Sequence, residues 1–503
     1  VGSTLGVLGR NVAIDKGTET PDVYHDGVTV ARAIDLEDPY ENMGAQLIKS
    51  SAIHTVDKVG DGTTTSIVLC RAIVSKCFEM INSGINPMII KKDMEEALKE
   101  VIIQLKKLSH KINNNKEIEQ IASISSDDKN IGKMIAEVIK RIGKKGLITV
   151  EYGKTIETTV EYKKGMEIDR GYISPYFVTD QNKIEAVIED AYILITDKKF
   201  QYQYEVMPFL DMINKLKKNL FIIASEVVEE ALAILVINKI KGTLNVCAIQ
   251  APAWGGRRLD ELEDIAALTG GKVITQDSGR EFKTIQIEEL GRAEKIIVDR
   301  DKTIIINGHG NTKAIEGYMK NISTQITHGN TDFDKEIKKQ RLAKLSGGVA
   351  VIHAGGTTEV EMKEKRERII DAVNASKSAI EEGIVAGGGS ALLRISLMPF
   401  WEKYNTVGAG ILKNALEAPF LTLIDNAGLY SSNQSWLNKY WFEVIQSEYP
   451  YGIDMIDGKL KDMIGSGIID SLKVNRIALE NAVSVGLMLC TTDTLISFVP
   501  ENK

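Results

Sequence analysis

The stretch Gly60-Asp61-Gly62-Thr63-Thr64-Thr65 decides how the rest of the chain is read. It runs directly into an apolar, helix-compatible segment at residues 66–74. Two glycines let the backbone approach a ligand closely, and the first turn of a helix offers unpaired N–H groups to an anion. Three threonine hydroxyls add donors. Asp61 supplies the carboxylate oxygen that magnesium prefers, so the segment reads as a phosphate cradle carrying its own metal ligand. A glycine turn with a threonine cap on an ordinary helix shares this pattern, and only neighbouring stretches can separate the two.

Two further carboxylates bear on it. Asp26 precedes Gly27, and Asp371 lies in the run 359–382, which contains neither Gly nor Pro and ends at Gly383. That run predicts a helix of about 36 Å with a glycine C-cap, stiff enough to serve as a strut between domains. Gly387-Gly388-Gly389 follows before a second helical block. Phosphoryl transfer to water needs a carboxylate-held metal, a cradle of N–H donors and a group that orients the water. No GxxxxGK[ST] pattern occurs, so the chain is not a P-loop enzyme.

A length of 503 residues implies two or three domains. Residues 11–14 and 29–31 read as short strands around the Asp26-Gly27 turn. Residues 40–84 carry a helix on each side of the cradle. A third spans 88–108, with Met94, Leu98, Val101, Leu105 and Leu108 on one face. Between 147 and 350, strands at 220–224, 244–249 and 272–275 alternate with helices at 226–240 and 259–268. Residues 296–298 and 303–306 form a hairpin, and Gly347-Gly348 marks a return to helix. The order is helical, mixed, helical, as if the middle were inserted into a domain made from both chain ends.

Composition excludes other classes. The net charge of −7, with no basic block, argues against a nucleic-acid partner. Apolar content of 43% without a continuous apolar run of ~18 residues predicts no membrane span. Cys70, Cys77, Cys247 and Cys490 show no zinc-like or CxxC spacing, which predicts buried free thiols in a reducing compartment. The chain does not open with Met, so any targeting segment lies outside these residues.

Longer stretches then accumulate: TLGVLGRNV (4–12), HDGVTVAR (25–32), LEDPYENMGAQLIK (36–49), VGDGTTT (59–65), DRGYISPYF (169–177), LTGGKVI (268–274), SGGVAVI (346–352), TEVEMKEKRERIIDA (358–372), EEGIVAGGG (381–389) and ALEAP (415–419). In these, and in order over nearly the whole length, the chain resembles group I chaperonins, the bacterial, mitochondrial and plastid protein-folding rings. The resemblance implies a multidomain α and α/β fold. A mainly helical equatorial ATP-binding domain would comprise 1–107 and 382–503, an intermediate domain 108–164 and 350–381, and an α/β apical domain 165–349.

The resemblance also implies roles. Thr4, Leu5 and Gly6, with Gly60, Asp61, Gly62, Thr63, Thr64 and Thr65, match phosphate-binding positions, and Asp61 the magnesium ligand. Asp371 matches the carboxylate that positions the hydrolytic water, and Asp26 a second acid near the γ-phosphate. Gly388 lies where the family meets the ribose, and Asp454, Met455 and Asp470 where it meets base and sugar. ATP, Mg2+ and K+ are the implied cofactors. Tyr172, Tyr176, Phe177, Met207, Leu210, Leu232, Val236 and Ile237 match the apical surface that binds non-native polypeptides and a small co-chaperonin lid. From their spacing alone these are core residues, and the implied function requires them exposed. Glu230 and Asn238 match polar positions of that surface, and Arg170 and Glu359 a pair bridging neighbours in a homo-oligomeric ring of seven subunits, single or double.

Some features depart from the family. Its Gly-Pro-Lys-Gly loop is here Gly6-Val7-Leu8-Gly9, and its lysine before the Asp-Gly pair is His25. Both changes remove positive charge, which predicts weaker ATP binding or slower hydrolysis. A hinge proline is missing near Ser109-His110-Lys111. Residues 428–448, with Trp436, Tyr440 and Trp441, lack a good counterpart and read as a surface insertion with a partly buried aromatic cluster. The expected function is ATP-dependent folding in a lid-closed chamber, and the alternative is a weakly catalytic structural subunit beside an active paralogue. A mitochondrial matrix or plastid-type stroma is the expected location, with bacterial cytoplasm as the other choice.

Overall fold

The computed structural model describes residues 1–15, 22–24, 26–144, 146–153, 155–181, 183–279, 282–327, 332–429 and 435–497. His25 lies outside them, and the side chain of Trp436 is likewise not described. The chain divides into two compact units. One comprises Val1–Lys140, Tyr152–Thr158 and Ala354–Lys503, so it is built from both chain ends; the other comprises Arg141–Glu151 and Thr159–His353.

The first unit is mainly helical. Helix Pro39–Val59 starts where Asp38 accepts the N–H groups of Tyr40 and Glu41, with proline at the first helical position. Asn86 and Pro87 start helix Pro87–Leu108 in the same way. Met94, Val101 and Leu105 are buried on its inner face, and Leu98 and Leu108 pack beside them. They meet Leu69, Cys70, Ile73 and Cys77 of helix Thr63–Asn82, and Leu479, Ala482 and Val483 of helix Leu472–Thr491. All four cysteines are buried and free, and three of them share this core.

A second apolar cluster joins Phe420, Ile424, Val444, Ile453 and Met455, with Tyr440 and Trp441 of helix Ser435–Gln446 packed against it. Two members of the aromatic cluster expected in 428–448, Tyr440 and Trp441, are therefore partly buried. Residues Val407–Asn426 are long and apolar enough to cross a membrane by length and composition, although Lys413, Glu417 and Asp425 interrupt the run. They form two helices, Val407–Ala415 and Ala418–Asn426, which bury Leu412, Ala415, Phe420 and Ile424 in the unit's apolar clusters.

The second unit is α/β. Strands Val246–Gln250, Asn219–Ala224 and Ala186–Thr196 run parallel, and Val273–Ile274 adds to the last of them. Gly291–Val298, Thr303–Gly308 and Gly165–Ile168 continue the sheet antiparallel. Helices Gln203–Lys215, Glu229–Ile240 and Gly256–Thr269 connect the parallel strands, and the sheet core carries Phe200, Phe209, Phe221 and Leu235. Arg341 enters as a buried cation clamped by both carboxylate oxygens of Asp264 at 2.8 Å.

Two local expectations fail. Residues 29–31 are not a strand: they lie inside helix Gly27–Ala33, and the partner of strand Val12–Ile14 is Asp22–Tyr24. The Asp26 carboxylate overrides the β-branched composition by accepting the N–H groups of Val28 and Thr29 and the Thr29 hydroxyl. After Gly347-Gly348 the chain enters strand Val349–Ala354, paired with Thr159–Lys163, before helix Glu359–Glu382 begins.

Candidate functional site

The cradle forms between two helices of the first unit. Gly60 ends helix Pro39–Val59 at φ 67°, and Gly62 opens helix Thr63–Asn82 at φ 80°, both in the left-handed region that favours glycine. Between them the Asp61 carboxylate accepts the Gly62 N–H at 2.5 Å and the Ser125 hydroxyl at 3.2 Å. Ser66 N–H is the first to bond back into the helix, to Gly62 C=O. The N–H groups of Thr63, Thr64 and Thr65 thus occupy the first turn, where no intrahelical acceptor exists.

A second helix start faces this one. A β-carbon on Gly27 would come within 2.2 Å of the Thr64 hydroxyl and 3.2 Å of the Thr63 hydroxyl, so the two N-termini meet at backbone distance. Thr4, at the end of the turn Gly2–Thr4, lies 3.4 Å from Thr64, hydroxyl to hydroxyl. Gly6 turns the chain at φ 84°, and Asn426 pins this loop by donating its amide to the carbonyls of Gly2 and Leu5, each at 2.9 Å. Val7 and Leu8 are exposed on the loop.

Carboxylates gather at the same place. Burial pushes Asp61 up to about 6, with Asp26 adding to it and the Gly62 and Ser125 hydrogen bonds opposing. Asp371 is raised well above the usual carboxylate range by burial first, then by Asp61, Asp26 and Glu367. Asp470 is pushed up to about 7 by burial and by Asp61, against a hydrogen bond with Asn475. Among the described residues no lysine or arginine pairs with Asp26, Asp61 or Asp371. The open N-terminus of helix Thr63–Asn82 and these unneutralised, half-buried acids together suit an anion accompanied by a cation.

The remaining positions converge less tightly. Strand Ile469–Ser471 pairs with Ile384–Ala386 and brings Asp470 beside the glycine triplet; a β-carbon on Gly387 would stand 3.2 Å from its Oδ1. Gly388, at φ 62°, faces the Ile453 carbonyl, one residue before Asp454. The Asp454 carboxylate is committed to Lys461 at 2.7 Å and to the Ile456 N–H, and Met455 is buried in the second apolar cluster.

In the α/β unit, Tyr176 is 65% exposed and Ile237 44% exposed. Tyr172, Met207, Leu232 and Val236 are half-buried against the core. Phe177 and Leu210 are buried in it and offer no surface, because the turn Pro175–Phe177 and the inner face of helix Gln203–Lys215 point them at the sheet. Asn238 bonds the Ile234 carbonyl, and Arg170 lies over the Trp254 ring at 5.9 Å.

The family model described as the TCP-1/cpn60 chaperonin family matches residues 1–500. This chain is a chaperonin. Its fold is also similar to the chaperonin gp146 from bacteriophage EL, solved in the presence of ATP-BeFx. That match has a TM-score of 0.70 and 22% identity, and covers 100% of this chain and 95% of the other. The helical unit from both ends and the inserted α/β unit are thus the multidomain α and α/β architecture that the sequence implied.

Sequence reasoning missed residues that hold the chaperonin's cradle in place. Ser125 hydrogen-bonds Asp61, Asn374 packs on Gly60 and Asn426 holds the loop 2–6. None stands in a glycine-marked motif, so only spatial proximity reveals them.

Proposed function

We propose that this chaperonin is driven by ATP hydrolysis at the Asp26, Asp61 and Asp371 cluster. The observation that supports this most is the meeting of the open N-terminus of helix Thr63–Asn82 with half-buried, unneutralised carboxylates from three distant stretches. In this reading the first turn beginning at Thr63, which has no side-chain cap, holds the phosphates through N–H groups, while Asp26 takes those of Val28 and Thr29, and the Thr4 and Thr64 hydroxyls add donors. Asp61 would hold magnesium, which supplies positive charge against the phosphate oxygens.

Asp371 orients the attacking water and accepts its proton. A carboxylate raised by burial and by like charges is a stronger base than an exposed one, so its environment fits the role. Asn374, on the same helix, fixes the axial position of Asp371 against Gly60. Gly388 and Asp470 take the ribose side. The α/β unit binds non-native polypeptides through Tyr176, Ile237 and the half-buried Tyr172, Met207, Leu232 and Val236. A seven-subunit ring, a small lid, potassium and an organellar location complete the proposal.

The test is steady-state hydrolysis with magnesium and potassium, beside Asp371→Ala. Turnover lost only in the variant supports the reading. Equal turnover in both, or none in a folded wild type that binds nucleotide, overturns it. The second outcome favours a structural subunit working with an active paralogue, a reading to which Val7 and Leu8 in the loop give substance.

A further inference from the structure

In the α/β unit, helices Gln203–Lys215 and Glu229–Ile240 frame a groove of about 600 Å3 lined by Gln203, Tyr204, Met207, Pro208, Asp211 and Glu230. Its chemistry is not uniformly apolar. Met207 and Pro208 form a deformable apolar wall. Tyr204, 70% exposed, stacks on Tyr202 with ring centroids 5.5 Å apart and planes 9° from parallel, which leaves an aromatic platform at the rim.

The acids around the groove fall into two sets. Glu205 caps its own helix by accepting the N–H groups of Gln201 and Tyr202, and Glu229 takes the Gln201 amide at 2.9 Å. Asp211 and Glu230 line the groove without a lysine or arginine partner among the described residues. Glu230 accepts only a long 3.4 Å contact from Gln203 N–H. Lys199 is engaged with Glu226, Lys218 with Asp190 and Lys239 with Asn245, and Lys215, one turn beyond Asp211 on the same helix, makes no ion pair with it. Pro208, inside the helix, has no N–H to give the Tyr204 carbonyl, so another acceptor stands at the rim.

We propose that this groove selects segments of non-native chain in which a lysine or arginine stands beside an apolar side chain. The inference rests on reading this unit as the substrate-binding one, and names the class of segment it prefers. A wholly apolar segment would cover Asp211 and Glu230 and strip them of water with nothing in return. A basic side chain gives each carboxylate a charge-assisted hydrogen bond and lies against the Tyr202–Tyr204 platform, while its apolar neighbour takes Met207 and Pro208.

The test uses the full chain and two labelled, unstructured peptides rich in leucine, one carrying arginine and the other citrulline at the same positions. Citrulline keeps the shape and removes the charge. Fluorescence anisotropy at low salt is expected to show the arginine peptide binding about tenfold tighter, with the gap closing as salt rises. In the Asp211→Asn, Glu230→Gln double variant the gap should vanish while citrulline-peptide binding is retained. Equal affinity of the two peptides for the wild type overturns the selection alone. So does a gap that survives in the double variant. Failure of both peptides to bind the wild type overturns the substrate-binding reading itself, and the selection with it.

Discussion

Asn374 occupies the space beside Gly60: a β-carbon built on that glycine would stand 2.1 Å from Asn374 Nδ2. Three residues earlier on the same helix is Asp371, so the contact sets how far the long helix Glu359–Glu382 approaches the cradle. The position of one candidate catalytic carboxylate therefore depends on the absence of a side chain 311 residues away (371 − 60).

Gly60→Ala should cost about 1–3 kcal/mol, combining the left-handed backbone with the collision. Asn374→Ala in the same chain should recover the collision share and leave the backbone share. A thermal melt of both variants beside the wild type measures this, and equal melting temperatures for single and double variants would show that the contact is slack.

Asp371→Asn should reduce hydrolysis by about 10²–10⁴-fold with little change in ATP affinity, because it removes a proton acceptor while keeping size. Phosphate release and nucleotide binding, measured on one preparation, separate the two effects. A matching loss of affinity would instead make Asp371 a binding residue.

The acid cluster sets a pH dependence. Asp61 and Asp470 are raised to about 6 and about 7, above their unfolded value, so each binds its proton more tightly when the chain is folded. Their contribution to stability is fully present below the unfolded carboxylate pKa and is lost as pH rises through the folded values. The melting temperature of nucleotide-free protein should therefore drop between about pH 4 and pH 7 relative to an Asp61→Asn, Asp470→Asn variant. Magnesium with a nucleotide should shrink the difference, since a cation favours the ionised acids.

Leu8→Lys restores a cation to an exposed position of the loop that Asn426 holds. Nucleotide affinity should rise by about two- to fivefold at low salt and return towards wild type in high salt. An unchanged affinity at all salt concentrations would show that Leu8 does not weaken nucleotide binding.

Trp441 donates its indole N–H to the half-buried Glu417 carboxylate at 3.2 Å and packs in the cluster that contains Met455. Trp441→Phe should cost about 1 kcal/mol by leaving Glu417 one partner short, and Trp441→Ala about 2–3 kcal/mol by losing the packing as well. Denaturation curves that rank the two variants in the opposite order would make the aromatic contact dispensable.

Much of this molecule is carried by local pattern. The helix Glu359–Glu382 and its Gly383 cap, the inner face of Pro87–Leu108 and the glycine-flanked Asp61 all follow from residues within one or two turns of each other. Local pattern failed at residues 29–31, where composition favoured a strand and a single capping carboxylate made a helix. It was silent on Ser125, Asn374 and Asn426, whose partners lie far away in sequence. It was also silent on which apical candidates face water, since amphipathic spacing is the same for Leu210 in the core and Ile237 on the surface. The sequence by itself determined most of the elements, the family and the candidate acids, because short-range hydrogen bonds and periodic burial are written in consecutive residues. Only the tertiary structure decided that Asp61, Asp371 and Asp470 are desolvated within reach of one another's charge, with Asp26 acting on the first two, because desolvation and charge coupling depend on distances that chain order does not encode.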